Sequence, residues 1–400
     1  MLNRRQWLRR LGAVSLAAPL ARVGFAAAPT DARFVLVILR GAVDGLALAP
    51  PYGDGAYAGL REALALPPPG AEDGMRKLDG LFGLHPALAN THAMFLHNEA
   101  LVVHAVASPY RQRSHFDAQD VLENGGVRAG DRRDGWLNRA LQSAGTVLGP
   151  EPAIAMAQNV PLVLRGERSV ASFAPSGLDG ADDDTLARLA DLYADDAFFH
   201  ERLARALAAQ ELAVAMDGMD GKTRRRNSAR AFIDALKSAA RFLTAPNGPR
   251  IAVTELSGWD THANQGTTGG TLARQFTTLD TGLGALRDEL GPTWRKTVVA
   301  VVTEFGRTVR INGTRGTAHG AGPAAPLLGG ALNGGRAVAP WPGLGASNLY
   351  QDRDLFPTTD VRRLFASVLA EHMQLGDRAV SNAFADAKAL SPMDQLIRTT

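Results

Sequence analysis

The sequence predicts an α/β protein built on a helix-covered, mostly parallel sheet. Three observations carry this: short runs that are almost continuously apolar, helical periodicity between and after them, and crossover lengths that suit right-handed βαβ units. The runs are Phe34–Leu39, Leu101–Val106, Ile251–Leu256 and Val298–Val302. A strand covered on both faces has no polar side to show, so it loses the alternation of a half-exposed strand.

The helices follow from spacing. Leu272, Phe276, Leu279, Leu283, Leu286 and Leu290 recur at alternating steps of four and three, one face of a helix. Val361, Leu364, Phe365, Val368 and Leu369 repeat the pattern near the C-terminus. Residues 178–245 are rich in Ala, Leu, Arg and Asp with helical periodicity, and are expected to form a helical insertion or cap. Residues 313–345 are dense in Gly and Pro, which predicts long loops at one end of the sheet.

The chain opens on Asn3-Arg4-Arg5-Gln6-Trp7-Leu8, followed by a mildly apolar stretch from Leu11 to Phe25 and small residues around Ala26. That stretch is too short and too weakly apolar for a stable membrane anchor. Residues 1–26 therefore read as a twin-arginine signal peptide, with residues 27–400 as the exported domain and the periplasm or cell surface as its destination. The twin-arginine translocase is the partner this implies. The signal also distorts the charge. Removing its five arginines from the 43 basic side chains leaves 38 against 40 acidic, a net of −2. A near-neutral domain has no electrostatic footprint for nucleic acid. With no cysteine, disulfides, thiolate ligands and a cysteine nucleophile are all excluded.

Open α/β sheets bind ligands beyond the carboxyl ends of their strands, so the segments after each run are where chemistry is expected. After the first comes Arg40-Gly41-Ala42-Val43-Asp44-Gly45, and after the second Arg113-Ser114-His115-Phe116. After the third comes Trp259-Asp260-Thr261-His262, and after the fourth Thr303-Glu304-Phe305-Gly306-Arg307-Thr308, with Gly316-Thr317-Ala318-His319-Gly320 beyond it. Carboxylates with neutral imidazoles suit Zn, Mn, Mg or Ca, and the histidines tilt the choice towards zinc or manganese. Each residue also has an ordinary structural explanation. Asp260 and His262 either face one ion or are a helix cap and a surface histidine; Glu304 and Arg307 are either site residues or a buried ion pair pinning a loop. Ser114 either attacks a substrate from a helix N-terminus or simply caps that helix. His104 lies within a strand and reads as a satisfied core residue.

Taken with Gly83-Leu84-His85-Pro86 and Gly135-Trp136-Leu137-Asn138-Arg139, these stretches resemble the bacterial domain-of-unknown-function family 1501, a relative of the alkaline phosphatase and sulfatase superfamily. The resemblance implies an alkaline-phosphatase-like three-layer α/β/α sandwich with one or two divalent ions at the strand ends. It implies Asp44, Asp260, His262 and His319 as metal ligands, Ser114 as nucleophile, and Arg113 or Arg307 as the anion holder. Ala318 stands where the family pattern has a metal-binding Asp, so Glu304 is expected to substitute or the site to hold one ion. The implied activity is hydrolysis of a phosphate or sulfate ester, on a small ester or a glycan or polymer. The alternative is an inactive binding protein that keeps the fold.

Overall fold

A computed structural model of the chain describes residues 30–174, 196, 228–338, 340–384 and 390–398. The expected signal peptide and most of the expected 178–245 insertion lie outside the described residues. The main sheet contains β1 (Arg33–Arg40), β2 (Ala100–Val103), β3 (Ala153–Ala155), β4 (Ala171–Ser172), β5 (Ile251–Ser257), β6 (Thr297–Thr303), β7 (Ala325–Leu328) and β8 (Arg336–Val338). Their spatial order is β8-β2-β7-β6-β1-β5-β3-β4. Among the described strands only β7 runs against its neighbours; the other pairings are parallel.

Helices cover both faces, and β1 shows why its sequence is apolar throughout. Phe34, Leu36 and Ile38 point into a cluster with Val298, Ala300, Trp136 and Phe365. Val35, Val37 and Leu39 point the other way, into a cluster with Val299, Val301, Phe276 and Leu283. Each fully buried side chain of this kind contributes about 1.5–3 kcal/mol. The first cluster is covered by α2 (His115–Asn124), α3 (Trp136–Ala144), α6 (Val361–Ser367) and α7 (Asp377–Ala383). The second is covered by α1 (Ala89–Leu96), α4 (Ser228–Thr244) and α5 (Thr271–Leu290). This is a three-layer α/β/α sandwich.

Three expectations need adjustment. The second predicted strand stops at Val103, because Ala105 adopts a left-handed φ of 53° and turns the chain; Val106–Ala107 pairs instead with Thr359–Asp360. The stretch expected to be loops contributes β7 and β8, whose Ala-Pro-Leu-Leu and Arg-Ala-Val sequences are too short to stand out among glycines. Of the expected cap, the described end, α4, is a sandwich helix: Phe232, Leu236, Ala239 and Leu243 are buried with α5 and the sheet.

The Gly135-Trp136-Leu137-Asn138-Arg139 stretch belongs to the scaffold. Trp136 stacks on Phe365 with ring centres 4.5 Å apart. Arg139 donates to the carbonyls of Asn124 and Ala383, 2.5 Å each, satisfying the final carbonyls of α2 and α7. Among the described residues no helix is long and apolar enough to cross a membrane.

Candidate metal centre

The three central strands β6, β1 and β5 end level with one another, with Leu39 beside Thr303 and Arg40 beside Ser257. Their following loops therefore start side by side. Gly41 makes the contact possible: at φ +120° it donates its N–H to Glu304 Oε1 (2.9 Å), and a Cβ there would lie 2.7 Å from the Asp260 nitrogen. Gly316 lets the next loop close in the same way, since a Cβ there would lie 2.4 Å from the His262 carbonyl carbon.

Over these loop ends three residues from distant parts of the chain converge. His115 from the start of α2, Asp260 after β5 and His319 from the loop before β7 bring ligand-type atoms within 4.8 Å of one another. His115 Nε2 and His319 Nε2 stand 3.0 Å apart, and His319 Nε2 is 3.2 Å from Asp260 Oδ1. His262 joins the edge, its Nε2 being 2.9 Å from both His319 Nε2 and Asp260 Oδ1.

The opposite ring nitrogens decide what this cluster can do. His115 Nδ1 lies 2.7 Å from Glu304 Oε1, a carboxylate that can only accept. His319 Nδ1 lies 3.1 Å from the Arg113 carbonyl, which likewise only accepts. Both Nδ1 atoms therefore carry the hydrogen, and both Nε2 atoms present lone pairs to each other. Two lone pairs at 3.0 Å repel unless a proton or a metal cation lies between them. Bonds of about 2.0–2.1 Å to a tetrahedral zinc separate its ligands by roughly 3.3 Å, so the spacing fits. The carboxylate and carbonyl behind the rings are the outer partners that metal-bound imidazoles ordinarily have.

The two rings differ in their affinity for a proton. The Glu304 bond raises the His115 pKa above its ordinary value against the opposing effect of burial. Burial and the His115 charge lower that of His319. For Asp260, burial pushes the carboxyl up, but the Arg307 bond and nearby positive charge outweigh it and the net direction is down. Glu304 follows the same logic: burial raises it, while bonds from His115, Gln119 and Gly41 bring it down.

The other expected site residues divide by position. Glu304 is buried one step behind His115, accepting from Gly41, His115 and Gln119, so it orients the His115 ring instead of facing the cluster. Arg307 is also buried; it donates to Asp260 Oδ1 at 2.5 Å and to Thr317 Oγ1 at 3.0 Å, fixing the carboxylate. Asp44 stands apart. Its Oδ1 caps the turn Gly45–Leu48 through Leu46 and Ala47, and its Oδ2 is taken by Arg61 and by Gln265 Nε2 (2.7 Å). Gln265 Oε1 accepts in turn from Thr261 and Thr317, so Asp44 anchors the loops that carry the cluster. The Arg113 guanidinium is held by buried Asp354 at 2.8 Å; its carbonyl, at a left-handed φ of 63°, is the part that reaches His319. Ser114 precedes α2 but its hydroxyl makes no cap bond.

His115 is the residue that sequence reasoning passed over. Its signal was present: His115, Gln119 and Glu123 are spaced by four, one stripe of a helix. His104 is the satisfied core residue expected, with Nε2 donating to Ala49 O (2.8 Å) and Nδ1 accepting from Ala105 N (3.0 Å).

Residues 31–384 match the family described as "Protein of unknown function (DUF1501)". The chain belongs to this family. No curated protein matches the DUF1501 chain. Solved structures similar to it include the zinc complex of the C-terminal periplasmic domain of EcEptC from Escherichia coli, with 9% identity and a TM-score of 0.40, covering 92% of this chain and 96% of that one. Phosphonate monoester hydrolase of Agrobacterium radiobacter aligns at 9% identity and a TM-score of 0.34, over 86% of this chain and 74% of that one. Murine ectonucleotide pyrophosphatase/phosphodiesterase 5 aligns at 12% identity and a TM-score of 0.31, over 68% of this DUF1501 chain. The match spans 57% of that protein's length.

Proposed function

We propose that the protein is an exported, metal-dependent hydrolase of a phosphate or sulfate ester. The observation that carries this is the pair of Nε2 lone pairs on His115 and His319, 3.0 Å apart beside Asp260, with both Nδ1 hydrogens already committed. His115, Asp260 and His319, with His262 at the edge, would hold one divalent ion, zinc by donor type. A divalent ion in such a site lowers the pKa of a bound water or hydroxyl and opposes charge growing on ester oxygens.

One ion fits better than two. Asp260 already belongs to the first site, and Asp44 has its Oδ1 in the cap of the turn Gly45–Leu48 and its Oδ2 on the buried Arg61 and on Gln265, so it offers a second ion no free oxygen. Ala318 adds no ligand in its place.

The remaining residues supply positioning. Glu304 and the Arg113 carbonyl hold the two rings in register, and Arg307 holds Asp260. Ser114 adjoins His115 at the head of the ten-residue α2 with its hydroxyl uncommitted to a cap, which suits an attacking alkoxide favoured by the helix N-terminus. Export by the twin-arginine route rests on Arg4-Arg5 and the apolar stretch after them; it predicts that replacing both arginines with lysine leaves the protein in the cytoplasm.

The test is elemental analysis of protein purified without chelators, followed by aryl phosphate, phosphodiester and sulfate substrates with Asp260→Ala as control. About one equivalent of tightly held divalent metal and an activity lost in Asp260→Ala is the expected result. Activity unchanged in that variant removes the site assignment. A second reading, a binding protein without catalysis, is favoured by Ala318; full metal content with no turnover on any ester selects it.

A further inference from the structure

Beside the centre lies a cleft of about 540 Å³ whose walls include Arg40, Gln119, Glu123, Gln158, Asn159 and Glu255. It opens at the carboxyl ends of β1 and β5, and Gln119 links it to the metal centre. Gln119 lines the cleft and donates to Glu304 Oε1 (3.1 Å), the same oxygen that takes His115 Nδ1. His115, Gln119 and Glu123 form one stripe along α2, and at 1.5 Å per residue the stripe is about 12 Å long. A molecule with its reacting group at His115 and Asp260 would lay its remaining body along that stripe, with room for one or two six-membered rings.

We infer that this cleft is the substrate's recognition subsite and that it takes a hydroxyl-rich neutral body, a sugar or polyol, so that the substrate is a sugar ester. The inference rests on the hydrolase reading only for where the reacting group sits. The wall chemistry selects the class. Arg40 is fully compensated: Glu123 binds it at 2.6 Å and Glu255 binds it in a two-pronged pair at 2.6 and 3.1 Å. An anion entering here would meet two carboxylates and no spare charge on Arg40. Arg165 adds a cation at the rim, but it is exposed there and its charge is screened by solvent.

An apolar body finds little to cover, since among the described residues Ala157, Pro161 and Leu162 are the only apolar members of the wall and none is aromatic. What remains are exposed amides at Gln158 and Asn159 and the partly exposed Glu255 carboxylate. Amides donate and accept, as each hydroxyl does, and a carboxylate accepts from two neighbouring hydroxyls at once. The Arg40 pairing holds that carboxylate in a fixed plane.

The experiment is saturation-transfer NMR on the full protein with methyl glycosides of glucose, galactose, mannose and N-acetylglucosamine. Wild type is compared with Gln158→Ala/Asn159→Ala, with Glu255→Gln and with His319→Ala. At least one glycoside should bind wild type, and the double variant should weaken it at least about fivefold, the loss of one or two hydrogen bonds. Glu255→Gln keeps the shape and should weaken it as well, while His319→Ala should bind the sugar as wild type does. No binding by any of the four sugars, equal binding by the double variant, or displacement of the sugar by inorganic phosphate at the same contacts each overturns the inference. Absence of metal sinks the hydrolase reading and leaves the sugar result standing, so the two failures are distinct.

Discussion

Two sets of histidines occupy opposite environments in this protein. His85, His104 and His372 are buried, and a backbone carbonyl takes the Nε2 hydrogen of all three, while Nδ1 of His85 and of His104 accepts from a nearby backbone N–H. Burial holds each of them down to about 4. His115 at the head of α2 and His262 and His319 on loops past the strand ends are partly open to solvent, and their Nε2 atoms crowd against each other and Asp260. The first set behaves as polar core, complete without a ligand. The second is incomplete: its nitrogens face lone pairs where a core would place donors. A histidine's neighbours on the far side of the ring, more than its burial, separate scaffold from site.

The comparison breaks first at His319. His319→Ala should reduce bound zinc from about one equivalent to below about 0.1 in equilibrium dialysis, because it removes the nitrogen central to the cluster. The fold should survive, since His319 is only partly buried. Retention of full metal would place the ion elsewhere. Asp44→Asn tests the contrasting carboxylate. It leaves Arg61, which has no surface exposure, short of its counter-charge, and should cost about 3 kcal/mol in urea unfolding. Metal affinity should change by less than about twofold, because both Asp44 oxygens are already in use. A large loss of affinity at unchanged stability would make Asp44 a ligand after all.

Acid sharpens the same contrast from the scaffold side. For His104 the folded value of about 4 lies below the ordinary 6.5, so the unfolded chain binds the proton first as pH falls. Its stabilising contribution is complete above about pH 6.5 and is lost on the way down to 4. Between pH 7 and pH 5 the single group removes about 2 kcal/mol. Comparing wild type with His104→Gln cancels the cluster's own titration, and the variant's stability should fall by about 2 kcal/mol less over that interval. Equal slopes would mean that His104 takes up its proton as readily in the folded protein as in the unfolded chain.

The sheet was legible because burial on two faces leaves a mark that survives in a single sequence: Phe34–Leu39 and Val298–Val302 are apolar at every position. β7 and β8 were not, because three or four residues among glycines carry no period. The loops of the site were legible from their polar residues just past the strand ends, but roles within them were not. Asp44 and Asp260 look alike in sequence. Only the distant Arg61 and Gln265 turn one into a strut. His115 was hidden by its neighbour Ser114, since a hydroxyl at a helix start invites attention, whereas a ring turns an Nε2 lone pair to the cluster only once Glu304, 189 residues away, holds its hydrogen at Nδ1.

That last dependence yields the smallest effect and the most specific one. Glu304 touches no member of the cluster except through the His115 Nδ1 hydrogen, and it is buried with both oxygens engaged. Glu304→Gln preserves shape but turns an anionic acceptor into a neutral amide. Its oxygen can still accept from His115, but the ring becomes less basic and its tautomer less strongly fixed. Zinc affinity should fall by about 10- to 100-fold, the usual cost of losing such an outer partner, while saturating metal restores one equivalent. Glu304→Asp keeps the charge and shortens the reach by one carbon, so it separates charge from distance. If the glutamine variant binds zinc as wild type does, His115 is held by packing against Phe305, whose ring centre lies 4.8 Å away, and the carboxylate is a loop anchor.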